Sequence, residues 1–163
     1  MASKASFTPE EWTSLLEAPM MAGMAISAAE PSGLFGMLKE SFATGRLLLE
    51  ATSDVGANEL VKAVAADYGT ADGRKAASEG LRARLGGGKP GEIKANALAA
   101  LREVAALLAA KAPEDAPAFK AWLEQISQRV AEASKEGGFL GFGGVQVSEA
   151  EKATLAEVAA ALA

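Results

Sequence analysis

The segment nearest to a chemical device is Gly86-Gly87-Gly88-Lys89-Pro90. A phosphate loop needs a glycine, four further residues, then Gly-Lys and Ser or Thr, so that backbone N–H groups cradle the phosphates and the hydroxyl reaches the metal. Ala83 stands where the first glycine belongs and Pro90 follows the lysine, so the motif fails at both ends. What survives is a set of cations, Arg82, Arg84 and Lys89, beside a helix start near Glu92, where an anion could sit against free helix N–H groups. The competing reading is a glycine stop and link between two helices.

Tyr68 to Glu79 has a partial calcium-loop spacing, with Asp72, Gly73 and Glu79 at the fifth, sixth and twelfth places. Tyr68 and Thr70 occupy the first and third places, and Arg74 and Lys75 put positive charge inside the loop. A hard dication wants several carboxylates, so this stretch is better explained as a turn between helices with Asp72 as a cap.

The chain has neither histidine nor cysteine. Ser-His-Asp triads, thiolate nucleophiles, disulfides, ordinary zinc sites and the Glu-x-x-His pairs of di-iron bundles are therefore excluded. Pairs such as Lys39 and Glu40, Asp67 and Tyr68, or Arg102 and Glu103 could be drawn as acid and base. Any helical protein offers such pairs on solvated faces, so no catalytic residue, metal ligand or cofactor is expected.

Two apolar segments stand out instead. Ala18 to Ala29 is apolar all round and carries Met20, Met21 and Met24 among small residues. Such a helix is usually central to a bundle, although thioethers also make adaptable binding surfaces. Gly137 to Gly144 sets Phe139, Leu140 and Phe142 among five glycines. Those groups either plug one end of a bundle or are presented to a partner.

The elements that must position these residues are helices. Half the chain is apolar, much of it alanine, and strand-favouring residues are sparse. Thr8-Pro9-Glu10-Glu11 is a start signal with a capping box, and Pro19 either kinks that helix or begins another. Leu34, Phe35, Leu38, Phe42, Gly45 and Leu49 form one stripe up to about Thr52, with Lys39, Arg46 and Glu50 opposite. Asp54 can cap a helix carrying Leu60, Val61, Val64 and Tyr68, closed by Gly69. A weaker helix spans about Asp72 to Leu85. After Pro90, Ile93, Ala97, Leu101, Val104 and Leu108 repeat in register. Phe119, Trp122, Leu123, Ile126, Val130 and Ala133 give the clearest stripe, and Ser148-Glu149-Ala150-Glu151 caps a last helix with Leu155, Val158, Ala159 and Leu162.

The expected architecture is all-α: a compact single-domain bundle of about six to eight helices over residues 8–163, with a Gly/Phe-rich loop before the last helix and residues 1–7 as a flexible tail. Net charge is −5, with a mildly basic centre between acidic ends, which argues against nucleic acid. Met1 to Phe7 lacks the apolar stretch of a secretory signal, and Ala18 to Ala29 is shorter than the ~20 residues of a membrane span. The expectation is a cytoplasmic protein.

The inventory points to a non-enzymatic protein that works by contacting another protein, a second copy included. The alternative is a bundle holding an apolar small molecule or cofactor between its helices, lined by Met20, Met24 and Phe42. An enzyme of carboxylate or cofactor type is the third reading and has no motif behind it.

Overall fold

Several helices of this chain begin where a nearby side chain satisfies backbone N–H groups of the first turn. A computed structural model describes residues 1–29, 44–85, 88–133 and 147–163. Helix α1, Pro9–Ser27, opens on the expected capping box: the Glu11 N–H donates to Thr8 Oγ1 at 3.2 Å and the Thr8 N–H to Glu11 Oε2 at 2.8 Å. It runs through Pro19 without dividing. Proline inside a helix costs about 3 kcal/mol, and burial of Leu15, Leu16, Met21, Ala22 and Ile26 on either side outweighs it.

Residues 44–53 form α2, and α3 is Glu59–Tyr68. The cap of α3 is Asn58, whose Oδ1 accepts from the Leu60 and Val61 N–H groups at 2.9 and 3.3 Å. The expected cap, Asp54, ends α2 instead: its N–H donates to the Glu50 carbonyl and its Oδ1 accepts from the Gly56 N–H. Gly69 closes α3 as expected. Helix α4, Ala71–Leu85, is capped by Thr70, which accepts from the Gly73 N–H at 2.9 Å, while Asp72 lies inside the first turn. A stretch that is helical from Ala71 cannot wrap round a cation. Helices α5, Pro90–Lys111, α6, Ala116–Ala133, and α7, Glu149–Leu162, follow. Among the described residues there is no strand.

Helix α1 is the axis, touching α3, α4, α5, α6 and α7. Its small residues let neighbours come close: Ser127 Oγ of α6 donates to the Ala22 carbonyl at 3.0 Å, and a Cβ on Gly23 would lie 3.3 Å from Thr44 Oγ1 and 3.5 Å from Val130 Cγ2. The apolar run is thus core along Ala18, Met21, Ala22, Ala25 and Ile26. The α6 stripe is buried at Phe119, Trp122, Leu123, Ile126 and Val130, with Ala133 half-buried and Ala131 fully buried in its stead, and Phe119 and Trp122 lie edge to face at 5.3 Å. In α7 the inward face is Thr154, Val158, Ala161 and Leu162, and Ala159 faces out.

Residues 1–7 are docked rather than trailing. Lys4–Ser6 makes a 3-10 turn, Phe7 is buried with its ring 5.9 Å from that of Trp12, and the Ala2 N–H donates to the buried Asp115 at 2.7 Å. The Phe-Gly segment lies outside the described residues, as does the stripe from Leu34 to Phe42. No helix among the described residues is long and apolar enough to cross a membrane.

Candidate functional site

Three places on the molecule concentrate polar or apolar groups. The first lies under residues 4–9, where Asp67, at the end of α3, takes the Trp12 indole N–H at 2.6 Å and the Lys4 ammonium at 2.8 Å. Burial pushes the Asp67 carboxyl up, but the Lys4 and Trp12 hydrogen bonds and the lysine charge outweigh it, leaving it below its ordinary value. A groove of 350 Å³ runs along this contact past Phe7, Pro9 and Leu16. Lysine, carboxylate and indole already pair with one another, so the arrangement is a clamp for residues 1–7.

The second joins α1, α4 and α5. Glu17 is 3% exposed and meets the Arg84 guanidinium at 2.9 Å; the same guanidinium meets Glu103 at 2.7 Å and Ser14 Oγ at 3.3 Å. Burial raises the Glu17 carboxyl and the Arg84 charge only partly offsets it. Arg84 is therefore neutralised from two sides rather than open to an anion. Arg82, two residues away, leaves the helix about 200° round from it and is exposed. Lys89 is exposed at the start of α5, where its N–H already donates to Glu92 Oε2 at 3.0 Å, so the chain supplies its own anion there. Arg82 and Arg84 therefore leave α4 on different sides, and Lys89 stands at the start of the next helix.

The third is a groove of 370 Å³ between α2 and α6, closed at one end by the loop into α3. Its floor is Leu47, Ala51, Val61 and Trp122, all buried; its walls carry Ala118 and Ala121, both exposed. Glu50 and Asp54 stand on one rim, and Asn58 and Gln125 supply neutral amides. Asn58 is held twice, capping α3 and donating to Asp115 Oδ1 at 2.8 Å, which ties this loop to the start of α6 and to Ala2. The Asp115 carboxyl is raised by burial, yet the bonds from Ala2 and Asn58 more than reverse this and hold it low. Val55, between two lining residues, is 93% exposed. Trp122 Nε1 is buried without a hydrogen-bond partner among the described residues.

The sequence reading missed this groove and put Leu49 on the buried stripe. Leu49 is 70% exposed, while Leu47 and Leu48 are buried. Successive helical side chains leave at about 100° intervals, so three leucines in a row cannot all face a core. That run was the available signal. Met20 and Met24 are half-buried; Met20 Sδ accepts the Tyr68 hydroxyl at 3.5 Å and Met24 packs on the core. Phe42, Phe139, Leu140 and Phe142 lie outside the described residues. Among the described residues no three acidic side chains are grouped to hold a metal ion. The chain matches no family model, no curated protein and no solved structure.

Proposed function

We propose that this is a non-enzymatic protein that binds another protein through the groove between α2 and α6. The observation that supports it is an open groove with an apolar floor, walled by the exposed Ala118 and Ala121. Exposed alanines over an apolar floor lose water only when a partner covers them, and burial of such groups drives most association. The groove's volume is near the lower end of the ~300–1,000 Å³ typical of small-molecule sites, enough for a few side chains. Its lining holds no nucleophile with an adjacent base.

A peptide-library selection tests this. Peptides enriched on the wild-type protein should lose binding at least about tenfold on Ala121→Trp, which fills the groove from an exposed position and leaves the core alone. Peptides that hold both proteins equally would mean that binding occurs elsewhere and would sink the proposal.

A further inference from the structure

Resting on that reading, we infer that the occupant is an α-helix of the partner carrying basic residues one turn apart beside an apolar stripe. The shape comes from the two walls. On α2 and its C-terminal cap the lining residues are Leu47, Glu50, Ala51 and Asp54; on α6 they are Ala118, Ala121, Trp122 and Gln125. Each set is spaced i, i+3, i+4, i+7, one complete helical face about 10 Å long. Two such faces side by side, floored by a third helix through Val61, form the groove into which another helix packs, and the alanines allow its backbone to come near.

The charge comes from the rim. Glu50 and Asp54 are four residues apart, about 6 Å along α2, and no lysine or arginine lines the groove. Both sit in or just beyond the last turn of α2, where the helix carbonyls add partial negative charge. Arg46, 82% exposed, pairs with Glu50 at 2.8 Å from one turn back, while Asp54 forms no ion pair among the described residues. A rim of this sign repels nucleic acid and anionic membrane. It also opposes a second copy docked face to face, because two acidic rims would meet. Lysine or arginine at i and i+4 of a docked helix matches the carboxylate spacing, one pairing with Asp54 and the other exchanging with the exposed Arg46 at Glu50, a pair too weak to hold against it.

Three synthetic fluorescein-labelled peptides of about four helical turns, sharing one leucine and alanine stripe and flanked by lysine, glutamine or glutamate, are the probes. Anisotropy titration should rank them in that order on the wild-type protein, with the lysine advantage shrinking as salt rises. Glu50→Gln with Asp54→Asn, in which the asparagine still accepts from the Gly56 N–H, should weaken the lysine peptide roughly 3- to 10-fold and leave the glutamine peptide unchanged. A central proline in the lysine peptide should abolish binding. Equal binding of all three peptides, or tolerance of the proline, overturns the basic helix; if Ala121→Trp still weakens every peptide, the groove itself stands. Peptides insensitive to Ala121→Trp remove both. A dimer in sedimentation that Val55→Asp dissociates would make a second copy the occupant and also overturn the inference.

Discussion

Single side chains carry two of the largest energies in this molecule. Trp122→Ala removes a buried ring that packs on Phe119, and urea unfolding should show a loss of about 3 to 5 kcal/mol. Trp122→Phe is the sharper experiment. It keeps an aromatic ring and removes a buried indole N–H that has no partner among the described residues, so its cost should stay within about 1.5 kcal/mol. A large loss in the phenylalanine variant would mean that the N–H is satisfied. Arg84→Met strands the Glu17 carboxylate; since Arg84 is itself 31% exposed, the loss should be about 2 to 3 kcal/mol rather than the full cost of breaking a buried pair. Adding Glu17→Gln should restore at least about 1 kcal/mol, and strict additivity of the two changes would show that they do not interact.

At the scale of elements, the junction of α1 and α4 depends on a missing side chain. A Cβ on Gly80 would collide with the Glu17 carboxylate, so the carboxylate keeps its place beside Arg84 only because that position on α4 is bare. Gly80→Ala should therefore destabilise by about 1 to 3 kcal/mol, although alanine is the better helix former by roughly 1 kcal/mol. Combining it with Glu17→Ala should cost less than the sum of the two. If Gly80→Ala alone stabilises, the Glu17 carboxylate moves aside at little cost and its pairing with Arg84 contributes little. Gly23 is a milder case of the same device, since its nearest neighbours leave room for a Cβ in ordinary or slightly tight contact.

The whole molecule integrates its carboxylates into one pH profile. Glu17 is raised above its ordinary 4.5, so the folded state holds that proton more tightly and is stabilised as pH falls toward 4.5; the contribution is lost as pH rises through the raised value. Asp67 and Asp115 are lowered from 3.8, so their contribution is present above 3.8 and lost as pH falls below it. Thermal melts should hold or rise as the solution is acidified toward 4.5, then drop steeply below 3.8. Glu17→Gln should abolish the acid-side gain, and Asp67→Asn should soften the later drop. A melting temperature that falls steadily from neutral pH in the wild type would contradict the Glu17 assignment.

Local chemistry alone was enough for the helices. The Thr8 and Ser148 capping boxes, the Gly69 stop and the stripes of α5 and α6 all depend on residues within about one turn of each other, which is the range over which sequence spacing reports geometry. Near the ends of α2 and α3 that range failed, because Asp54 and Asn58 are both good caps and only the partners of Asn58, among them Asp115 on the far connection, decide between them. The docked residues 1–7, the pairing of Arg84 with Glu17 and Glu103, and the groove between α2 and α6 all join residues tens of positions apart. Side chains of that separation meet only in the packed tertiary structure, so periodicity holds no trace of them. Leu49 marks the boundary: its spacing fits an apolar stripe, but the side of α2 that faces the core is set by packing against α1 and α6.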